Sequence, residues 1–212
     1  MRDPLDENID RLADLLKGPL PGAAAQQAMS VTPRTVPHTG VREAPMRSSA
    51  VLALIYPWSG QMWIPLIRRS AVLRHHGGQV ALPGGGRDTG DASLWETALR
   101  EAHEEIGVEP EVVRYLGALT ALEVPVSNNL VQPYIGYSAM RPVFHLQDDE
   151  VAGLVELPLS VLLDDDARAV EEWELPGRRA RVPFYRYQDA VIWGATAMIL
   201  SELEALLRAI AT

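Results

Sequence analysis

Glu101, Glu104 and Glu105 lie in the run Leu82 to Val108, LPGGGRDTGDASLWETALREAHEEIGV. On a helix turning about 100° per residue, Glu105 falls about 40° and Glu104 about 300° from Glu101, so the three carboxylates share one narrow face. Acids at such spacing repel by roughly a few tenths of a kcal/mol per pair even in water. Arg100 is the one cation beside them, and a single guanidinium is too little to offset three carboxylates. A hard dication does so: Mg²⁺ or Mn²⁺ takes carboxylate and water oxygens and leaves its remaining sites to substrate phosphates. The other reading is an ordinary solvated, glutamate-rich helix face, and spacing alone does not separate the two.

These acids need a helix and something to lay it on. Ser93-Leu94-Trp95-Glu96 has the form of a capping box, which starts a helix at Ser93 and gives Glu96 a structural role. Trp95, Leu99, Ala102 and Ile106 fall opposite the acids and can pack on a sheet, and Gly107 ends the helix. Before it, the glycines from Gly84 to Gly90 let backbone come close to a ligand or to a side chain.

The rest of the chain supplies that sheet. Apolar runs at Ala50–Tyr56 and Met62–Ile67 flank Pro57-Trp58-Ser59-Gly60 and predict a hairpin; further strands are expected at Val112–Leu122, Val131–Ala139, Arg168–Leu175 and Ala180–Tyr187. A helix over Ala195–Ile210 carries an apolar stripe of Leu200, Leu203, Leu206, Leu207 and Ile210. Leu5–Leu16 reads as an amphipathic helix stopped by Pro19, Pro21 and Gly22, and Ala23–Met46 as a linker or surface segment. The acid-rich stretch Asp148–Glu174 reads as a solvated loop. The expected organisation is an N-terminal helix and linker, residues 1–46, ahead of one domain, residues 47–212, whose mixed sheet and helices mean α+β or an α/β/α sandwich.

Composition narrows the partners. The 212 residues are 47% hydrophobic, enough for a proper core, and 19 basic against 28 acidic residues give a formal net charge of −9. That balance argues against a general grip on nucleic acid and for a small substrate. With no cysteine, disulfides, thiolate metal sites and cysteine nucleophiles are excluded. No apolar run approaches membrane-spanning length and the start MRDPLDENIDRLADLL lacks the plan of a secretion signal, so the expected location is the cytoplasm. One basic cluster stands out: Arg68, Arg69, Arg74 and Arg87, with His75 and His76, which read as metal ligands or a base or, as is commoner for histidines beside glycines, as loop hydrogen-bonders outside the chemistry.

Arg100-Glu101-Ala102-His103-Glu104-Glu105-Ile106-Gly107-Val108 resembles the second half of the Nudix box, Arg-Glu-apolar-x-Glu-Glu-x-Gly-apolar, with Gly84-Gly85 ahead of it. In the first half, Ala92 stands where most of that family has glutamate, and Asp91 lies one residue earlier. That longer spacing is similar to the coenzyme A diphosphatase branch, as are Arg69-Ser70, Leu73-Arg74, His76, Gly78-Gln79-Val80-Ala81 and Pro83-Gly84-Gly85 upstream. Asp88, Gly90 and Asp91 fit the same branch, as do Asp149-Glu150-Val151, Pro158-Leu159-Ser160 and Ile192-Trp193-Gly194-Ala195-Thr196-Ala197, so the likeness runs from about Ala50 to the C-terminus. Leu82 replaces the branch's usual aromatic residue and Gly86 a common basic one, for which Arg87 is the nearest substitute.

The resemblance implies a Nudix-type sandwich around a mixed sheet and a hydrolase using Mg²⁺ or Mn²⁺. Glu101, Glu104 and Glu105 would hold the metal, and Arg100 would orient the carboxylates. Glu101 and Glu150 are candidate bases for the attacking water. Arg100, Glu101, Glu105 and Glu150 are thus expected to carry the reaction, with Gly84 and Gly85 at the substrate. Arg69 and Arg74 would select the 3'-phosphate of coenzyme A, or else pair with Asp88, Asp91 or the box glutamates. Trp193 and Tyr187 are candidates for stacking on adenine or for simple core. The implied substrate is coenzyme A or an acyl-coenzyme A, cleaved to 3',5'-ADP and 4'-phosphopantetheine or its acyl form. The alternatives are another nucleoside diphosphate derivative (NADH, ADP-ribose or a nucleoside triphosphate) or a silent binding module, against which the intact Arg100, Glu101, Glu104 and Glu105 speak. Neither nucleic acid nor membrane is expected as a partner, and the N-terminal helix leaves a homodimer open.

Overall fold

The computed structural model describes residues 4–33, 45–70 and 78–211. Two long strands, β1 (Arg47–Trp58) and β2 (Gln61–Arg69), form the expected hairpin, closed by the two-residue turn Ser59-Gly60. They anchor a sheet with β3 (Val80–Ala81), β4 (Gly84–Gly86), β5 (Arg114–Ala118), β6 (Leu122–Val124), β7 (Asn129–Tyr137) and β8 (Val151–Pro158). The order through its middle is β3-β2-β1-β7-β5; β1 and β7 run parallel while the other pairs are antiparallel, so the sheet is mixed, as expected.

β1 shows why both faces of this sheet are covered. Its buried residues alternate: Ala53 and Ile55 join one apolar cluster with Ile64, Leu66 and Leu203, while Leu52, Leu54 and Tyr56 join another with Ala98, Ala102 and Ile106. A strand buried on both sides reads as a near-continuous apolar run, as Ala50–Tyr56 does. The second cluster is roofed by α3 (Leu94–Ile106), which carries the box, and the first by α5 (Gly194–Ala211) together with α1 (Pro4–Leu15) and α2 (Gly22–Gln27). A short α4 (Ser160–Leu163) and a second, three-stranded sheet of β9 (Arg168–Leu175), β10 (Arg178–Tyr187) and β11 (Ala190–Trp193) complete the fold. No described helix is long and apolar enough to cross a membrane.

Three sequence expectations change. The stretch from Asp148 to Glu174 is not one solvated loop: Val151–Pro158 pairs with β2 in antiparallel register from Trp63↔Pro158 to Arg69↔Val151. Its flanking acids masked a short apolar run whose Val151 and Leu157 are buried. The single strand over Val112–Leu122 is broken into a 3-10 turn (Pro110–Val112), β5 and the start of β6. The segment from Ala23 is not all linker, since α2 packs on α5. The fully buried Glu202 of α5 holds it there, accepting hydrogen bonds from Gly22 N–H (3.1 Å), Gln26 Nε2 (2.9 Å) and Thr120 Oγ1 (2.7 Å). The apolar stripe of α1, which the sequence leaves open to a partner subunit, is filled within the chain: Ile9, Leu12 and Leu16 lie in the same cluster as Leu203.

Candidate active site

The box helix is fixed at both ends by its own sequence. Ser93 Oγ accepts the Glu96 N–H at 3.2 Å, and Glu96 returns a bond to the Ala92 N–H at 2.8 Å, one residue outside the usual capping-box partner. Gly107 closes the helix in a left-handed conformation. Ala98, Ala102 and Ile106 are buried against the sheet, with Trp95 and Leu99 partly so. The acids therefore face away from the main packing surface, toward β4.

β4 can come that close only because it is glycine. A Cβ on Gly84 would lie 2.3 Å from the Ala50 carbonyl oxygen, and one on Gly85 would lie 2.5 Å from the Glu101 carboxylate. At that distance the Gly84 N–H donates to Glu105 Oε2 at 2.8 Å. The three glutamates accordingly differ in environment despite sharing a face: Glu105 is 1% exposed, Glu101 is half-buried, and Glu104 is exposed.

Burial pushes the Glu105 carboxyl up to about 7; the Gly84 N–H and the Arg69 guanidinium, whose Nη1 is 3.4 Å from Glu105 Oε1, pull the other way, and the charges of Glu101 and Glu150 add to the rise. Burial also raises Glu101, against the hydrogen bond from Arg100. Glu150 belongs to the same neighbourhood. Its carbonyl accepts the Ser70 N–H at 2.8 Å at the start of β8, and its charge is felt by both Glu101 and Glu105.

Arg100 ties the assembly together. Its Nη1 donates to Glu101 Oε1 (3.0 Å) and Glu104 Oε2 (3.1 Å), so the cation bridges the two carboxylates. Its Nε and Nη2 grip Asp91 Oδ1 and Oδ2 at 3.0 and 3.1 Å, and Nη2 also reaches the Gly86 carbonyl at 3.0 Å. This fork holds the Asp91 carboxyl far below the usual carboxylate range, and Asp91 in turn raises the Arg100 guanidinium. Asp91 is the residue whose role the sequence reading missed. The available signal was an acid two residues ahead of the helix cap and nine before the box arginine.

Among the described residues, no three His, Asp or Glu side chains are grouped so as to hold a metal ion as they stand. The donor set nonetheless fits a hard dication. Glu105 is buried beside Glu101 with only a long contact to Arg69 as counter-charge, and Glu104 borders solvent, where a cation that keeps its waters and shares a phosphate needs open positions. Arg74, His75 and His76 lie outside the described residues. Arg87 donates to the carbonyls of Asp91 (3.0 Å) and Ala92 (3.4 Å), bracing the loop ahead of the helix rather than standing in for the base absent at Gly86. Trp193 meets Trp173 edge-on at 5.4 Å within the small sheet, and Tyr187 packs against the α5-side cluster.

Comparisons with known proteins agree on the kind of domain. The profile of the NUDIX domain matches residues 46–179. A curated relative from Pectobacterium atrosepticum, named as the uncharacterized Nudix hydrolase NudL, is 46% identical over 143 residues, which cover 65% of this chain and 71% of that one. The protein of the same name from Klebsiella pneumoniae is 38% identical over 159 residues, covering 74% of this chain and 81% of its own. Among solved structures, RenU, a Nudix hydrolase from M. smegmatis, shares the fold with a TM-score of 0.52 at 19% identity, covering 82% of this chain and 95% of that one.

Proposed function

Because the chain belongs to the Nudix family, whose hydrolases act on nucleoside diphosphate derivatives with a divalent cation, we propose that it cleaves the diphosphate bond of coenzyme A or an acyl-coenzyme A. One water adds across the P–O–P bridge, giving 3',5'-ADP and 4'-phosphopantetheine or its acyl form.

The observation that carries this reading is the meeting of three separated segments. Arg69 of the Arg-Ser run contacts Glu105 of the box, and Ser70 is bonded to the backbone of Glu150. A guanidinium beside the buried carboxylate, on the chain segment that leads to Arg74, supports a reading in which phosphate binding and cleavage are neighbours.

Glu101, Glu104 and Glu105 are the proposed ligands of Mg²⁺ or Mn²⁺, which when bound supplies charge neutralisation of the diphosphate and orients a water for in-line attack. Arg100 holds Glu101 and Glu104 at fixed separation. The Gly84 N–H holds one oxygen of Glu105 and leaves the other toward Arg69. Glu101 or Glu150 takes the proton of the attacking water; Glu150 is half-buried and near enough for its charge to act on both box acids. Arg69 and Arg74 bind the 3'-phosphate.

The same box would serve another nucleoside diphosphate derivative, since it reports the cleavage machinery and not the leaving group. Turnover of coenzyme A against 3'-dephospho-coenzyme A separates the two. Losing charge-assisted bonds to the 3'-phosphate is expected to lower kcat/KM by roughly 10- to 100-fold. Equal values for both substrates would remove the arginines from recognition and favour the wider substrate class.

A further inference from the structure

We infer that Arg141 is a positioning residue for Glu150: it pins the strap, residues 138–150, that leads from β7 to β8 and carries Glu150 at its end. The inference rests on the reading in which Glu150 takes the proton of the attacking water.

The strap is held by few main-chain bonds. Residues 139–147 run in irregular conformation, and their exposure alternates as in an extended chain: Pro142, Phe144 and Leu146 are half-buried while Val143, His145 and Gln147 are exposed. Phe144 and Leu146 pack on the apolar cluster under α3. Beside them, the His145 N–H donates to the Ile106 carbonyl at 3.0 Å and the Gln147 N–H to the Glu105 carbonyl at 3.1 Å. These are carbonyls that the last turn of a helix leaves without partners of its own. The Gln147 carbonyl then accepts the N–H groups of Glu150 at 3.2 Å and Val151 at 2.9 Å. The main chain of one residue, Gln147, thus ties the box helix at Glu105 to the turn at Glu150.

What keeps Gln147 against the helix is the packing upstream. Arg141 grips Glu156 of β8 with a fork, Nε to Oε1 and Nη2 to Oε2, both at 2.8 Å. The same carboxylate accepts the hydroxyl of Tyr56, on β1, at 2.6 Å. The guanidinium lies 5.1 Å from the Trp58 ring and 5.2 Å from the Phe144 ring, and Phe144 meets Tyr56 at 5.7 Å. An exposed ion pair alone holds little. A bidentate fork between two aromatic rings holds more, because the planar guanidinium is already oriented for both kinds of contact.

Phe144 is therefore wedged between Arg141 and Tyr56, one residue before the first N–H that reaches α3. Glu150 stands at the start of β8 and Glu156 within it, so the fork closes the strap on the strand it feeds. Glu156, Trp58 and Phe144 all lie outside the box, so the contribution of Arg141 comes through the strap. Arg141→Met keeps the stem but loses the fork and the stacking. Phe144 then loses one wall, the two N–H groups leave α3 more often, and Glu150 is no longer held at one distance from Glu105.

Two measurements on the full chain test this. In hydrogen exchange followed by mass spectrometry without substrate, Arg141→Met is expected to exchange roughly 10-fold faster over residues 143–148, with the middle of β1 unchanged. In a double-mutant cycle on Mg²⁺-dependent turnover of coenzyme A, or of ADP-ribose if coenzyme A is not cleaved, Glu150→Gln is expected to lower kcat about 10²-fold. Arg141→Met should lower it about 10-fold with KM little changed, and the double variant should be no slower than Glu150→Gln alone. Unchanged exchange, parental kcat in Arg141→Met, or fully additive losses overturn the positioning role. Parental kcat in Glu150→Gln also overturns the inference, and if exchange is faster in Arg141→Met the failure lies in the assignment of the base and not in the clamp. Should Arg141→Met not fold, Phe144→Leu, which removes the ring beside the guanidinium and keeps an apolar contact, takes its place in both measurements with the same outcomes expected.

Discussion

Glu105→Gln will lower kcat by roughly 10³-fold while leaving the metal-free protein at least as stable as the parent at pH 8. The loss of activity follows from removing a ligand charge that contributes several kcal/mol through the bound cation, at about 1.4 kcal/mol per tenfold in rate. The stability expectation has the opposite sign and a separate cause. Burial raises the Glu105 carboxyl from 4.5 to about 7, so the folded protein holds a proton there that the unfolded chain has already released. Between those two values stability falls as pH rises, and above about 7 the ionised carboxylate costs on the order of 3 kcal/mol. Glutamine never ionises and still offers an oxygen to the Gly84 N–H. Thermal melts of the two proteins without metal should therefore converge near pH 5 and separate toward pH 8 in favour of the variant. A variant that loses stability equally at both pH values would mean that the Glu105 charge is well compensated within the protein itself.

Gly85→Ala is expected to cost about 10²-fold in kcat with the fold retained. The added Cβ would meet the Glu101 carboxylate at 2.5 Å, and the far end of a side chain can move aside. Moving it by roughly 1 Å is enough for a loss of that order in a positioned reaction. Gly84→Ala differs because its Cβ would strike the Ala50 carbonyl oxygen and Val51 Cα, backbone of the central strand, at 2.3 and 2.6 Å. There the melting temperature should fall along with activity. Steady-state rates and melts of the pair check the contrast; parental kcat in Gly85→Ala would show that Glu101 need not stay where β4 approaches it.

Local patterns in the sequence carried most of the sandwich and the box helix. Ser93 and Glu96, the apolar positions on the sheet side, and Gly107 each act within a turn or two of the chain, so α3 could be read from spacing. The central hairpin and the helix at the C-terminus were legible for the same reason. Strand β8 was not, because its apolar residues lie between acids and its pairing partner β2 is more than eighty residues away. The buried Glu202 was equally hidden: a carboxylate in the core is tolerable only through donors from Gly22, Gln26 and Thr120, none of which is near it in sequence. At the site, the helical wheel put three acids on one face but could not tell that β4 buries Glu105 and leaves Glu104 in solvent. Nor could it show that Arg69 leans on Glu105, the pairing with a box acid that the sequence set against selection of a phosphate.

Incubating the purified chain with coenzyme A and either Mg²⁺ or Mn²⁺, and identifying the products, tests most directly whether these glutamates serve diphosphate cleavage of that substrate. Equal amounts of 3',5'-ADP and 4'-phosphopantetheine, formed only with the cation present, are expected. Coenzyme A recovered intact under conditions where ADP-ribose or NADH is cleaved, or cleavage that persists after chelation, would contradict it.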